Sequence, residues 1–566
     1  MNSLAVSLIL LLFGVSPSSC TPPEGCRNVP GSAGYPSPAS WTAFNATIFG
    51  RLIEAVPTPK YCADLPGGPC TDAQWSSALF RSQNPGSMVS DNVEQGYDLT
   101  PPSLCLKNAT TCGQGDVPLY SVEAEMVEDV QAAVKFASAH NLRVAIKASG
   151  HDVPGRSTAP HSLLIRTRNF RNLSFTDNLV VGSQDLGPAV TVGTGVFNRD
   201  LFQAAKANGR FVLATGVATI CAGAGYVQGA GHSPLSPQFG LAADNALEFK
   251  IVVASGELLT VNSVSHPDLF YALRGGGAGS WGVIVSTTFK TFPALNGTSV
   301  SIVLATSNTT ATSALASLHA QHVFDLDPVR GGHYLIVTQN ADGGSTVILS
   351  GKLPNASAAR SKALLAPFVN ASTALPGVTL LSQGYTYGDI NDALFVADDT
   401  AGGNVVAGSR FITPDAYRQS PEAFGSVYQE LLDAGSPLIL EIVVGGGAVA
   451  DNTNISSAVH PGWRTAKSLF FIANQWEASA SLDEIDAVRK QFQTQQLPIL
   501  ERISGPNAGS YSNEGDISEP NFMTTYYGPN YATLSATKAQ YDPNDLFIVA
   551  MGVGSERWDR LGLCRA

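Results

Sequence analysis

Apolar residues recur at helical spacing through Val127, Val130, Val134 and Ala137, with acids in the first turn and Asn141 near the end, so a helix is predicted from about Glu123. The run Arg143 to Ala148 then reads as a strand that delivers the chain into Ser149-Gly150-His151, which places this histidine in a turn and not on a packed face. Short strands follow at Leu163 to Thr167, Leu179 to Gly182 and Val190 to Val192, and a helix from about Arg199 to Ala207 is stopped by Asn208-Gly209. Phe249 to Ala254, the turn Ser255-Gly256 and Glu257 to Val261 read as a hairpin, and Val283 to Phe292 as a further strand. This alternation predicts an α+β domain with mixed sheets.

Residues 21 to 120 lack such periodicity, are rich in Pro, Gly and Cys, and read as an irregular wrapping segment with one helix near Trp41 to Leu52. After Pro293 the composition shifts to Ser, Thr and Ala, which marks a domain boundary near residue 295. From 296 to 509 strand and helix return, most clearly at Tyr334 to Val337, Ser345 to Leu349, Ala358 to Leu365, Leu438 to Val444 and Ser468 to Ile472. The aromatic and glycine-rich stretch Tyr511 to Val553 is expected to come back to the first domain, giving a closing segment over 510 to 566.

With 566 residues the chain exceeds one compact core, and 44% hydrophobic against 14% charged residues suits a folded protein. A net charge of −12 with no Lys/Arg block argues against a nucleic-acid partner. Residues 1 to 20, with the apolar run Leu4 to Val15 before Ser16-Pro17-Ser18-Ser19-Cys20, read as a signal peptide, although the start lacks Lys or Arg. No later apolar run is long enough for a membrane span, so a secreted, extracellular protein is expected. Sequons at Asn45, Asn108, Asn172, Asn296, Asn308, Asn355, Asn370 and Asn454 fit N-linked glycans in that setting.

Six of the cysteines fall early, at Cys20, Cys26, Cys62, Cys70, Cys105 and Cys112, and leave Cys221 and Cys564 apart. Disulfides are expected in an oxidising compartment: Cys105 with Cys112 first, then Cys62 with Cys70 or Cys26 with Cys62. None of these shows the His partners or paired C-x-x-C spacing of a zinc site, so no metal is expected.

Candidate chemistry lies in glycine-rich turns. Gly277-Ala278-Gly279-Ser280-Trp281-Gly282 spells a dinucleotide fingerprint, but it follows a helix-like segment and no acid follows between Val283 and Phe324 to hold a ribose, so a turn for close backbone approach is the better reading. Three turns together are more telling: Lys147 to Ser157, Gly223 to Gly231 leading into His232-Ser233, and Arg274 to Gly277. Each offers backbone N–H groups free of side chains, which a pyrophosphate needs.

The order S-G-H-x-x-x-G-x-S, then G-A-G-H-S-P-L-S-P-x-F-G-L-A-A-D-N, then H-P-D-L-F-Y-A-L-R-G-G-G, then N-Y with K-x-x-Y-D-P-x-x-L-F resembles the FAD-linked oxidoreductases of the vanillyl-alcohol oxidase and berberine-bridge-enzyme type, nearest their fungal isoamyl-alcohol-oxidase-like branch. The resemblance implies a PCMH-type FAD domain in two parts, interrupted by a substrate domain whose sheet covers the flavin ring. It implies that His151 bonds the flavin 8α-methyl carbon. Ser149, Gly150, Asp152, Gly155, Arg156 and Ser157 of the first turn and Gly225, Gly229, Gly231, His232 and Ser233 of the second would then hold the cofactor. Asn530 and Tyr531 match a pair lying against the flavin ring. Where some members add a cysteine link, this chain has Ala218, with Cys221 three residues later, so one covalent bond is expected.

For a catalytic base, the resemblance points to the substrate sheet or the closing segment. Glu441 is an acid inside the apolar strand Leu438 to Val444, where burial would raise its pKa into a useful range. Tyr511 matches a family tyrosine near the substrate. Val443 stands where sugar-oxidising relatives would carry an acid, which favours a small alcohol. The expected activity is hydride transfer from a small organic substrate to FAD, with O₂ reoxidising the flavin to give peroxide. The rivals are a biosynthetic oxidase or dehydrogenase of a secondary metabolite, an oligosaccharide oxidase, and a secreted flavin-binding glycoprotein without turnover.

Overall fold

The computed structural model describes residues 25–107 and 111–566. The expected signal peptide, Cys20 and the Asn108 sequon lie outside the described residues.

The helix predicted after Glu123 spans Val127–Ala139, and its buried face is Val130, Ala133, Val134 and Ala137. Asp129 fixes its start by accepting from the backbone N–H groups of Glu125 and Met126 at 3.0 and 3.1 Å. It shares a core with a four-stranded sheet, ordered Leu52–Glu54, Tyr120–Glu123, Leu163–Arg166, Val144–Lys147. Helix Pro38–Thr47 of the N-terminal segment joins that core through Phe44, which stacks on Phe136 at 4.2 Å.

A second, five-stranded antiparallel sheet follows, ordered Leu258–Asn262, Ala246–Val252, Val283–Lys290, Ala189–Gly193, Leu173–Thr176. The predicted hairpin forms its edge. The predicted strand at Leu179 to Gly182 is reduced to a two-residue arm, Val180–Val181, paired with Gln184–Asp185. The edge place belongs instead to Leu173–Thr176, where only alternate residues are half-buried.

Between Asn296 and Gln475 the chain builds a seven-stranded antiparallel sheet. Its order is Val378–Asp389, Asn296–Thr306, Ser345–Pro354, Gly332–Gln339, Leu438–Val443, Ser468–Gln475, Val405–Ile412. Helices Thr309–His322, Ala358–Ala374 and Pro421–Asp433 bury Leu315, Phe368 and Val427 against one face. The other face, through Leu440, Ile442 and Phe471, packs with Ala230 and Leu241 of the first domain and with Tyr511.

The closing segment returns to the first domain. Leu534, on helix Tyr531–Tyr541, joins the core that holds Trp281 and Ala272. Lys538 is buried and donates to the carbonyls of Ser280 and Phe547 at 2.8 and 2.7 Å. Disulfides join Cys62 to Cys70 and Cys105 to Cys112, both of them expected pairs. Cys26 does not pair with Cys62: it reaches Cys564, across a separation of 538 residues, and Cys221 is free and buried. No helix of the described residues is long and apolar enough to cross a membrane.

Because the Cys26–Cys564 bond ties the two ends of the described chain together, Cys564→Ala should lower unfolding free energy by about 2–4 kcal/mol. Thermal melts without reductant check this, and an unchanged midpoint would contradict it.

Candidate active site

Where the four-, five- and seven-stranded sheets and the closing segment meet lies a cavity of about 280 Å³. Its walls are the turn after strand Val144–Lys147, the segment from Thr215 to Gln228, the segment Ala278 to Ile284, the sheet residues Tyr334, Leu440 and Ile442, and Tyr511, Asn513 and Glu514.

The first wall is the predicted glycine turn. Gly150 holds φ +82°, a left-handed conformation that a β-carbon makes costly. Asp152 and Arg156 clamp the turn by a bidentate pair, and Arg156 also donates to Asn513 Oδ1 at 2.9 Å. Burial works against the Arg156 charge, but Asp152 outweighs it and the guanidinium pKa is raised. Between these anchors His151 lines the cavity with Ser149, Gly150 and Ser157. Burial pulls the His151 imidazole below its ordinary value against the opposing pull of Asp399 and Asp152, so the ring is neutral near pH 7.

The backbone N–H groups of Gly150, Asp152 and Val153 in this turn, and of Ala278 and Gly279 across the cavity, donate to no acceptor among the described residues. Five backbone donors without an internal acceptor, all on residues that line one cavity, fit the pyrophosphate of a dinucleotide. Cys221 also lines the cavity, but burial pushes its thiol up to about 12, so it is protonated and unreactive near neutral pH.

On the opposite wall, Tyr334 carries a buried hydroxyl without a partner. Tyr511 accepts a hydrogen bond from Asn513 Nδ2 at 2.9 Å. Burial raises both phenols above the ordinary tyrosine range. His232 Nε2 stands 2.9 Å from Glu514 Oε1.

Comparison with known proteins agrees with this geometry. Residues 118–262 match the family model of an FAD binding domain, and residues 510–554 match that of berberine and berberine-like proteins. An uncharacterized FAD-linked oxidoreductase of Arthroderma benhamiae is 35% identical, over 96% of this chain and 97% of its own length. The flavin-dependent oxygenase ucdF of Aspergillus ustus is 31% identical over 93% of this chain and 98% of its own. A solved VAO-type flavoprotein of Myceliophthora thermophila C1 superposes with a TM-score of 0.86 at 27% identity, covering 96% of this chain and 100% of that one. The chain belongs to the FAD-linked oxidoreductases of the VAO and berberine-bridge type.

In this oxidoreductase some of the residues that the resemblance implied line the cavity and others lie beside it. Ser149, Gly150, His151, Asp152, Arg156, Ser157, Gly225, His232 and Tyr511 all line it. Gly155 faces a smaller neighbouring cleft, and a β-carbon there would sit 2.9 Å from Val93. Gly229, Gly231 and Ser233 shape the loop beneath the wall: a β-carbon on Gly229 would fall 2.4 Å from the Asn513 amide, Gly231 holds φ +76°, and Ser233 Oγ accepts from the N–H of Leu235. Asn530 donates to the carbonyls of Ala458 and Val459, and Tyr531 bonds Glu556 and the N–H of Gly554, so neither side chain reaches the cavity.

Glu441 is the main correction. Strand alternation sends Leu440 and Ile442 into the cavity and Glu441 to the helix-covered face. There its carboxylate accepts from Tyr417 and, at 3.0 Å, from Tyr428, while His319 Nδ1 lies 3.3 Å away, an ion-pair distance without hydrogen-bond alignment. Burial pushes this carboxyl up, yet His319 and the two hydroxyls outweigh burial and hold it below the ordinary glutamate range. That is the reverse of the raised pKa expected from burial alone. Val443 points to the same helix-covered face, so its identity says nothing about the substrate. Sequence reasoning missed Tyr334, Asn513 and Glu514, although the last two adjoin Tyr511 in the chain.

Glu441→Gln should therefore leave the rate of flavin reduction near that of the native protein and cost on the order of 3 kcal/mol of stability. The depressed folded pKa sets the pH window: the stabilising contribution is complete above about pH 4.3, the unfolded value, and disappears as pH falls through the lower folded value. Denaturant titrations of both proteins from neutral pH to pH 3 would show the gap closing.

Proposed function

We propose that this FAD-linked oxidoreductase is a secreted, N-glycosylated oxidase that carries FAD covalently on His151 and oxidises a small alcohol, passing the electrons to O₂ to give H₂O₂. The observation that carries this reading is the position of His151. Its neutral imidazole opens into the same space as the unpaired N–H groups of the glycine turn and the substrate-side residues Leu440, Ile442 and Tyr511.

Bound FAD supplies the hydride acceptor, and a histidyl bond to its ring withdraws electrons and favours hydride uptake. The protein binds and orients. Gly150, Asp152, Val153, Ala278 and Gly279 would hold the pyrophosphate by their N–H groups, with Arg156 fixing the turn. Tyr511, protonated near neutral pH, can hydrogen-bond a substrate hydroxyl, and Asn513 fixes its oxygen. The apolar Val217, Ile220, Leu440 and Ile442 limit water and suit a small, partly apolar substrate better than a sugar chain. Secretion is supported by three disulfides and by exposed sequon asparagines at Asn172, Asn296, Asn308, Asn355, Asn370 and Asn454.

Peroxide release on adding primary alcohols to the purified yellow protein tests the reaction. His151→Ala is expected to lose its flavin on acid precipitation while the native protein keeps its colour. Tyr511→Phe should slow flavin reduction about tenfold, the loss of one hydrogen bond to the transition state. Alcohol-dependent flavin reduction without peroxide would mark a dehydrogenase instead.

A further inference from the structure

The titratable groups around the cavity differ sharply in what they can do with a proton. Asp152 is occupied by the Arg156 guanidinium and backbone N–H. The Tyr226 hydroxyl donates to the His232 carbonyl at 2.7 Å. The phenols of Tyr226, Tyr334 and Tyr511 and the thiol of Cys221 are all raised by burial and hold their protons near neutral pH. His151 is assigned above to the flavin. What remains is Glu514 with His232. Glu514 lines the cavity; one carboxylate oxygen, Oε1, lies 2.9 Å from His232 Nε2, whereas Oε2 is buried and has no partner. An unpartnered buried carboxylate oxygen is costly unless something arrives to bond it.

The pair is built to stay in place. The N–H of Glu514 closes a turn onto the Tyr511 carbonyl at 2.9 Å, and the Glu514 carbonyl accepts from Ser409 Oγ at 3.0 Å. The His232 ring is boxed by Tyr511, Trp463 and Tyr334, with ring centroids 5.3, 5.8 and 6.3 Å away. Glu514 and Tyr511 leave the same short turn, and both residues line the one cavity.

We propose that Glu514 is the proton acceptor of the oxidation, receiving the substrate hydroxyl proton on its carboxylate, and that His232 is a positioning residue that holds Oε1. This rests on the oxidase reading above. The balance is simple: an alcohol loses its O–H proton to the Glu514 carboxylate and its C–H hydride to oxidised FAD, leaving the carbonyl product. Tyr511 donates a hydrogen bond and keeps its proton. The titratable and charged groups that share the cavity lining with Glu514 are His232, Tyr226, Tyr334, Tyr511, His151 and the Arg156–Asp152 pair.

The test uses flavin-loaded native protein, Glu514→Gln and His232→Gln, with flavin content and melting temperature measured first. Benzyl alcohol and 3-methyl-1-butanol serve as probes in anaerobic stopped-flow, and visible spectra are recorded across pH 4 to 9. Glu514→Gln should keep its flavin, slow reduction by about 10²–10⁴-fold, and lose both the acid limb of the rate profile and any acid-side shift of the flavin band. His232→Gln should retain that limb with a displaced midpoint, which a merely structural role would not move. Reduction by Glu514→Gln within threefold of native at every pH, or a spectral titration that survives in it, overturns the proposal. If neither alcohol reduces native flavin, the alcohol reading fails on its own, and the proton acceptor is judged by whether the native spectral titration exists and vanishes in Glu514→Gln. If Glu514→Gln loses flavin or fails to fold, Glu514→Asp replaces it, and an unaltered rate profile and spectrum there overturn the proposal.

Discussion

Asn513 joins the pieces of this site that are farthest apart in sequence. Its Oδ1 accepts from Arg156 at 2.9 Å, and its Nδ2 donates to the Gly225 carbonyl at 3.2 Å and to the Tyr511 hydroxyl at 2.9 Å. One planar amide therefore ties the first glycine turn, the second glycine loop and the closing segment. Gly229 makes this possible, since any β-carbon there would occupy the amide's place. The cavity exists because these loops are held at a fixed spacing from the sheet face that carries Leu440 and Ile442. Remote groups held this rigidly are what positioning a cofactor against a substrate requires.

The seven-stranded sheet divides its polar load between two faces. Toward the cavity it offers Tyr334 among apolar neighbours, and away from it Glu441 gathers Tyr417, Tyr428 and His319, with His333 2.8 Å beyond His319. The second cluster is a buried network that pins helices to the sheet, and its charge is compensated locally. The reactive-looking carboxylate of the sequence is thus structural, while the carboxylates that line the cavity, Asp152 and Glu514, come from loops.

Much of this arrangement could be read from the chain. Turn glycines leave a local signature, because backbone N–H groups can face a pyrophosphate only where side chains are absent, and the first turn, His151 included, lines the cavity. The helix at Val127–Ala139 and the hairpin at Ala246–Asn262 announced themselves by period and turn residues. The facing of Glu441 did not. Its strand is apolar on both sides because each side meets a core, and such a run carries no alternation from which to choose a face. Edge strand Val378–Asp389 was missed for the opposite reason, since most of its residues are exposed and polar. The Cys26–Cys564 bond joins the extremes of the described chain, beyond any local spacing rule. Asn530 and Tyr531 were carried by motif likeness, and their hydrogen bonds are spent on neighbouring backbone and Glu556.

The proposed bond between His151 and the flavin is tested most directly by peptide mass mapping of the acid-denatured native protein. The tryptic peptide from residues 148 to 156 should be heavier by one FAD, with fragmentation placing the adduct on His151. An unmodified peptide at full yield, or an adduct on Cys221 alone, would contradict it.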